Sequence, residues 1–296
     1  NRRLCNTHKH INRKEDGKNG MDCVQTRPEN RPDKEKRHDI RITWKGTAAF
    51  VLEAAGERIL FDPFVQIRGG ENPGSIDEFL REETIFITHG HFDHLCRVPQ
   101  LLEEGDATVF CTARPAKTLE RYTQETAQVV RIRVGDVIPI GDIRIRVLKG
   151  KHIEFQMKRI FDTMTPLRVL RHWRNMPFLL WANREFQEGD ETVAFEIKAE
   201  GKTLLLLGSL ALDERETYPT GADLLILPYS GNHDLVGEAD RIIDRLRPRR
   251  ILLSHFDDAF PPMSRSVDTS GLKRLIKEKW PQIQVAKPVK DKPVII

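Results

Sequence analysis

The sequence predicts an α/β protein in which two β-sheets pack against each other and helices cover their outer faces. Short apolar strands separated by turns occupy residues 40–61 and 129–148, whereas residues 75–123 and 223–280 alternate apolar runs with helical patterns. Strands followed by alternating strands and helices occur in both halves of the chain. We therefore expect one sheet from each half, with the helices outside.

The order of the predicted elements follows apolar periodicity and turn residues. The first half is expected to begin with strands at 39–44, 48–52 and 58–61, followed by a helix capped by Ser75 at 75–82 and a buried strand at 84–88. Helices at 95–104 and 115–123, with a strand at 107–111 between them, and further strands within 129–148 complete it. In the second half they are a hairpin at 192–207, strands at 223–227 and 250–253, and helices at 238–246 and 271–280.

Charge is distributed unevenly along the chain. Residues 1–40 contain 11 Lys and Arg against 7 Asp and Glu, whereas the other 256 residues contain 37 of each. Residues 1–39 also lack an apolar period, so they are expected to form a disordered or loosely attached basic leader. Residues 40–296 are expected to form one domain, and their neutrality makes nucleic acid an unlikely partner for it.

Membrane and disulfide-rich classes are not favoured. No stretch approaches the ~18 apolar residues of a membrane span, and the first residues contain no apolar run of the kind found in signal peptides. Four cysteines in 296 residues do not indicate a disulfide framework. The expected location is the cytoplasm.

Metal-ligating side chains cluster directly after the predicted strand at 84–88. Within six residues the chain places His89, His91, Asp93 and His94. Imidazole and carboxylate groups are the ligands that suit zinc and related divalent ions. Burying four such groups without a metal would be costly, so the cluster predicts a metal site rather than structural histidines.

The chain resembles the metallo-β-lactamase-fold hydrolases, whose signature His-x-His-x-Asp-His it contains at His89–His94. Its opening strands, with Ile42-Thr-Trp-Lys-Gly46 and Ile59-Leu-Phe-Asp62-Pro63, are similar to the branch that includes ascorbate-6-phosphate lactonase. The resemblance covers about residues 40–285. It implies a four-layer αβ/βα sandwich with one or two metal ions at one edge.

The resemblance also implies which residues hold the ions. His152 and His255 follow predicted strands at the positions of the remaining family ligands. One ion would then be held by His89, His91 and His152, and a second by Asp93, His94 and His255. Asp62 would support a ligand histidine from behind. The implied cofactor is Zn2+, with Mn2+ or Fe2+ as alternatives.

Two positions depart from the family pattern. An aspartate that bridges both metals usually follows a Gly after the Leu-rich strand, but here the pair is Gly208-Ser209. A neutral Ser209 hydroxyl is a poor bridging ligand, which weakens the expectation of a second ion; Asp213 is the nearest alternative carboxylate. Related sequences also often carry Gly-His where this chain has Gly46-Thr47.

An insertion at about 153–190 separates the two halves. A helix is expected to start at Thr165-Pro166 and to stop at Pro177. Arg168, Arg171 and Arg174 form a basic stripe on this helix, beside an apolar stripe of Leu167, Leu170 and Trp173. One interpretation is a lid whose arginines bind an anionic substrate; the other is a helix that packs on the core or on a second copy in a homo-oligomer, with its arginines solvated.

A second polar loop follows the predicted strand at 223–227. Tyr229 is a candidate substrate contact there, and His233 is a candidate proton donor to a leaving group. The alternative for His233 is a surface histidine in a turn.

The predicted function is hydrolysis of a lactone or ester of an anionic small molecule by a metal-activated water, with Asp93 orienting the water or accepting its proton. The alternatives are a phosphodiesterase or nuclease of the same fold, and a metal-binding protein with weak catalysis, which Ser209 favours.

Overall fold

The computed structural model describes residues 39–153 and 163–296. The predicted leader, apart from Asp39, lies outside the described residues, as do positions 154–162 of the insertion.

Two sheets are present, as predicted, and each has seven strands among the described residues. Their strands, in chain order, are β1 (Arg41–Gly46), β2 (Ala49–Ala54), β3 (Glu57–Phe61), β4 (Thr84–Phe86), β5 (Thr108–Cys111), β6 (Val129–Arg131), β7 (Val137–Ile140), β8 (Ile143–Lys149), β9 (Val193–Ala199), β10 (Lys202–Leu206), β11 (Leu224–Pro228), β12 (Arg250–Ser254), β13 (Gln284–Ala286) and β14 (Pro293–Ile295). The first sheet has the order β14-β1-β2-β3-β4-β5-β6 and the second the order β13-β12-β11-β10-β9-β8-β7.

Each sheet combines an antiparallel meander with parallel strands. Strands β3 to β6 are parallel neighbours in the first sheet, and β10 to β13 are parallel neighbours in the second. Because parallel strands end at the same edge of a sheet, the loops after β3, β4, β10, β11 and β12 are the ones placed to form a site.

Helices follow the parallel strands. In chain order the described α-helices are α1 (Phe92–Leu95), α2 (Val98–Glu104), α3 (Ala113–Leu119), α4 (Pro166–Arg171), α5 (Met176–Glu185), α6 (Leu235–Leu246) and α7 (Ser270–Lys279). Short 3-10 helices occur at Ile76–Glu78, Thr126–Gln128 and Trp173–Asn175. No helix of the described residues is long and apolar enough to cross a membrane.

The core lies on both faces of the first sheet. Alternate side chains of β3 and β4 point to opposite faces, so Phe61 and Phe86 join the cluster between the sheets, while Leu60 and Ile85 join the cluster beneath the helices. Between the sheets, the Phe195 ring lies 5.8 Å from that of Phe61 and 5.4 Å from that of Phe86, measured between centroids. Burial on both faces explains why the second halves of these strands, Ile59–Phe61 and Ile85–Phe86, contain only apolar residues.

Proline accounts for two differences from the predicted helices. The helix expected at 95–104 is split into α1 and α2, because Pro99 has no N–H to donate to the carbonyl of Leu95. Pro177, predicted to end a helix, instead lies in the first turn of α5, where a missing N–H costs nothing. The helix expected at 75–82 is only the 3-10 turn Ile76–Glu78, although Ser75 caps it as predicted.

One buried ion pair fixes β3 to the turn that precedes β4. Arg58 donates from Nε and Nη2 to the two carboxylate oxygens of Glu82, at 3.1 and 2.6 Å, and also contacts Glu53. The Glu82 side chain has no exposed surface, whereas that of Arg58 is 35% exposed. Glu82 therefore depends on Arg58 to compensate its buried charge.

Removing this guanidinium should destabilise the fold. Arg58→Met keeps most of the side chain's apolar length but leaves the buried Glu82 with only its longer contact to the exposed Arg81, at 3.5 Å. We therefore expect the free energy of unfolding in urea to fall by about 2–3 kcal/mol. The control is Arg131→Met, which breaks the exposed pair with Glu120 and should cost less than about 1 kcal/mol. Equal losses in both variants would contradict the assignment.

Candidate metal centre

The predicted ligands are placed at strand ends of both sheets. The segment His89–His94 follows β4 and runs into α1, His152 follows β8, and His255 directly follows β12. His255 adopts a left-handed backbone conformation, with φ of +56°, and its N–H donates to the carbonyl of Thr47 at 2.9 Å. That hydrogen bond holds the β12 loop against the first sheet.

The structure brings the six predicted ligand side chains together in two groups of three. The ligand atoms of each group lie within 4.8 Å of one another; the groups are His89, His91, His152 and Asp93, His94, His255. Each group takes two members from the first sheet's loop and one from the second sheet. This grouping is the one that the resemblance implied.

A glycine permits the tight loop between the first two histidines. A Cβ atom built on Gly90 would lie 2.4 Å from the carbonyl oxygen of Gln187, which belongs to the insertion. Any side chain at position 90 would therefore push the insertion away from the histidines.

Asp62 and Thr88 orient the buried histidines. Asp62 accepts from the N–H and the hydroxyl of Thr88, both at 2.8 Å, and from Nδ1 of His94 at 3.0 Å. Since the Thr88 hydroxyl donates its one proton to Asp62, it accepts from Nδ1 of His89 at 3.0 Å. Both imidazoles then turn Nε2 toward the cluster. Asp62 was anticipated as a supporting residue, whereas Thr88 was missed.

The other histidines are held in a similar way. His152 donates from Nδ1 to the carbonyl of Ile153 at 2.8 Å, and His255 Nδ1 lies 3.1 Å from the hydroxyl of Ser254. His91 differs, since its Nδ1 faces Nε2 of His89 at 3.2 Å. Four histidines therefore present Nε2 and one presents Nδ1 to the cluster.

Burial and charge set the protonation of these groups. Burial, followed by the neighbouring imidazoles, holds the pKa of His89 and of His255 well below the usual value and lowers the pKa of His91 to about 3. Burial also lowers the pKa of His152. For His94, burial favours the neutral imidazole, but the carboxylates of Asp62 and Asp93 outweigh this effect and raise the pKa.

The donor set fits a divalent cation. Metal ligands must be deprotonated, and a lowered pKa favours the neutral form in four of the five imidazoles. Facing ring nitrogens lie 3.1 Å apart in the pair His94 and His255, and 3.2 Å apart in the pair His89 and His91. Two ligands on a tetrahedral zinc ion, at Zn–N distances of ~2.0–2.1 Å, are separated by roughly 3.3 Å.

A pocket of about 1010 Å³ opens above the cluster. Its apolar walls include Phe92, Phe260, Met263 and Val267, and Arg265 is the single Arg or Lys that lines it among the described residues. A volume of this size suits a small-molecule substrate.

Two acidic residues of the pocket were not anticipated. Glu188 accepts from the N–H groups of Asp190 and Thr192 and so shapes the insertion loop. Asp257 is buried, accepts from the N–H of Thr47 at 3.2 Å, and leaves Oδ1 without a hydrogen-bond partner among the described residues. Burial raises the pKa of Asp257 to about 6. In the sequence, only the position of Asp257 two residues after His255 could have indicated that it lies near the site.

Ser209 lies in the pocket wall, but its hydroxyl is already engaged. It accepts from the N–H of Ile153 at 3.1 Å, and the carbonyl of Ile153 in turn accepts from His152. Ser209 thus supports the loop that carries a predicted ligand. Asp213, the alternative carboxylate, does not line the pocket and accepts from the N–H of Arg215 at 2.8 Å.

The arginines predicted to bind substrate do not reach this pocket. None of Arg168, Arg171 and Arg174 lines it. Arg168 donates to the carboxylate of Asp258 at 2.8 Å and to the carbonyl of Ser264 at 2.7 Å, so it holds α4 to the loop after β12. This geometry does not support the predicted contact of a lid stripe with substrate.

The two candidate residues of the second polar loop, Tyr229 and His233, also differ in whether they reach the pocket. Tyr229 is 1% exposed and does not line the pocket, because its N–H continues the ladder to Ser254 and carries the ring into the core. The predicted substrate contact is therefore not supported for Tyr229. His233 is exposed and lines the pocket.

Comparison with known proteins agrees with this architecture. Residues 57–256 match the family model described as the beta-lactamase superfamily domain. A UPF0173 protein of Pyrococcus furiosus is 30% identical over 219 residues, which cover 73% of this chain and 83% of the relative. A UPF0173 metal-dependent hydrolase of Archaeoglobus fulgidus is 23% identical over 250 residues, covering 83% and 94%.

Solved structures share the fold. The metallo hydrolase Igni18 of Ignicoccus hospitalis superimposes with a TM-score of 0.59 at 16% identity, and the match covers 88% of this chain and 99% of Igni18. The metallo-beta-lactamase fold protein YhfI of Bacillus subtilis gives 0.57 at 13% identity, covering 87% and 99%. With the family match spanning 57–256 and the sandwich and histidine cluster in place, the chain belongs to the metallo-β-lactamase superfamily and, within it, to the UPF0173 family.

Proposed function

We propose that this chain is a metal-dependent hydrolase that cleaves a lactone or ester of an anionic small molecule. The observation that carries the proposal is the pair of three-residue donor groups beneath one pocket of about 1010 Å³. Zn2+ is the proposed cofactor, because imidazole ligands predominate. The names of the UPF0173 relatives support the reaction class, and the similarity of the opening strands to ascorbate-6-phosphate lactonase favours the lactone.

In this proposal His89, His91 and His152 hold one ion, and Asp93, His94 and His255 hold a second. A divalent ion at this place would supply an acidified water and an electrophilic contact for the scissile group. The protein's contribution is to keep the ligands deprotonated and oriented, through the hydrogen bonds of Asp62, Thr88, Ile153 and Ser254.

Asp93 and His233 are the proposed proton carriers. The Asp93 carboxylate lies 3.7 Å from Nε2 of His94 and 3.9 Å from Nε2 of His255, and its side chain is 13% exposed. It can therefore orient the attacking water or accept its proton from inside the cluster. His233, on the exposed loop after β11, is the residue proposed to give a proton to the leaving group, because it lines the same pocket.

Substrate recognition is proposed to rest on the walls of the pocket. Phe92, Phe260 and Met263 offer apolar contact, and Arg265 offers a positive charge to an anionic substituent. Arg265 replaces the three insertion arginines in this role.

The two ions are proposed to bind unequally. With Ser209 in place of a bridging carboxylate, Asp93 is the only anionic ligand of the six. Two dications ~3.5–4 Å apart would repel each other with little compensation. The three-histidine group should fill first, and the group of Asp93, His94 and His255 should bind weakly.

Metal content tests the proposal directly. His89→Ala/His91→Ala should stay folded, lose most bound metal by elemental analysis, and lose turnover on a panel of lactones, esters and phosphodiesters. His172→Ala, which removes a histidine outside the cluster, should retain metal. Wild-type protein without a transition metal after growth in ample zinc and iron would contradict the metal assignment; turnover of phosphodiesters alone would contradict the substrate class.

The carboxylate of Asp62 should influence metal affinity through its hydrogen bond with the proposed ligand His94. Asp62→Asn keeps the shape but removes the charge that holds the Nδ1 proton of His94, so we expect zinc affinity to fall about 10–100-fold in a competitive chelator titration. Asp213→Asn is the control, since that carboxylate lies outside the pocket. An unchanged affinity in Asp62→Asn would show that the hydrogen bond does not tune the site.

A carboxylate at position 209 should restore the second ion. Ser209→Asp supplies the missing negative charge, so the zinc stoichiometry should rise from about one toward about two per chain. Ser209→Asn has the same shape without the charge and should leave the stoichiometry unchanged. Two equally tight ions in the wild-type protein, with no gain in Ser209→Asp, would refute the proposed asymmetry.

A further inference from the structure

A second cavity lies where the insertion meets the loop after β3. Its volume is about 320 Å³, and it shares no lining residue with the pocket above the histidines. Its lining consists of Arg68, Gly69, Arg171, His172, Trp173, Arg174 and Asn175. Two of the three arginines singled out by their spacing in the insertion therefore converge here, together with a third from a distant part of the chain.

The lining of this cavity is basic, and the carboxylate that acts on its His172, that of Asp258, lies outside the lining. Its lining contains no carboxylate, and within residues 39–153 and 163–296 no ion pair is found for Arg68, Arg171 or Arg174. Arg168 is different, since Asp258 neutralises it at 2.8 Å. Arg68, Arg171 and Arg174 are exposed, and an anion held in this cavity would be attracted by the positive charge of all three.

The walls of the cavity are held in place by the fold. The buried amide of Asn175 donates to the carbonyl of Arg68 at 2.9 Å and to that of Pro261 at 2.7 Å, which fixes both sides of the cavity. Gly69 has a φ of +78°, and a Cβ there would lie 3.0 Å from the His172 ring. A side chain at position 69 would therefore crowd the cavity.

Exposed apolar side chains occur on the same segment of the insertion as this cavity. Trp173 is 58% exposed, with the Arg174 guanidinium 5.6 Å from its ring centroid. Leu167 and Leu170, on the preceding helix α4, are 81% and 71% exposed. A ligand with an anionic group and an attached apolar portion would match both features.

We propose that this cavity is a second ligand site, which binds an oxyanion of the phosphate type. Guanidinium groups suit this chemistry because each can donate two parallel hydrogen bonds to phosphate oxygens. The phosphate belongs either to a soluble ester or to a lipid head group. In the second case Leu167 and Leu170 would contact the apolar part of the lipid.

The first experiment measures binding of inorganic phosphate to the metal-loaded full-length protein by calorimetry, at constant ionic strength. Arg171→Gln/Arg174→Gln should weaken one class of phosphate sites by at least about tenfold. Arg68→Gln, on a different segment, should act in the same direction. The charge-matched control Arg241→Gln/Arg274→Gln lies on α6 and α7, lines neither pocket, and should change the affinity by less than about twofold.

The second experiment identifies the source of the phosphate. Wild-type and variant proteins are sedimented with vesicles of phosphatidylcholine alone or mixed with phosphatidylglycerol. Co-sedimentation with the mixed vesicles that is lost in the Arg171/Arg174 and Arg68 variants supports a lipid head group; phosphate binding without co-sedimentation supports a soluble ester. The proposal is overturned if neither arm separates these variants from wild type, or if the control pair loses as much.

Discussion

The hydrogen bonds between Asp62 and Thr88 are the constraint on which the rest of the site depends. Both residues are buried at the ends of adjacent parallel strands, and they hold two of the cluster histidines by Nδ1. The carbonyl of Thr88 also accepts from the N–H of Val193 in the second sheet at 2.9 Å. A Cβ on Gly208 would approach the Thr88 side chain to 2.8 Å. One threonine thus fixes histidine orientation and the spacing between the sheets together.

Much of this organisation could be predicted because it depends on local pattern. The apolar runs of β4, β11 and β12 are buried on both faces, so their sequences identify them as inner strands without further information. His89–His94 was recognisable because four ligand types follow one such strand. The grouping of His152 and His255 with this segment, in contrast, came from the resemblance, since spacing alone does not show which strand ends meet.

The remaining features depend on contacts between distant segments. The spacing of Arg168, Arg171 and Arg174 predicted one helical face. Arg168 instead binds Asp258, whereas Arg171 and Arg174 line a cavity together with Arg68. Tyr229 follows a strand in the same way as His255, yet it is drawn into the core. Thr88 gave no signal beyond being a polar residue at the end of an apolar strand. In each case the contacts of the side chain are made with residues that are distant in the sequence and become neighbours only in the folded protein.

Each donor group draws two side chains from the first sheet and one from the second, and this division has a thermodynamic consequence. An ion held by such a group acts as a cross-link between the two layers. It would stabilise the folded chain by about 4 kcal/mol when its free concentration is a thousandfold above its dissociation constant. The concentration of free metal around the protein would then influence its resistance to unfolding and to proteolysis. Conversely, a substitution of Phe61 or Phe195, which pack between the sheets and bind no ion themselves, would alter metal affinity by changing the distance that the ion must span.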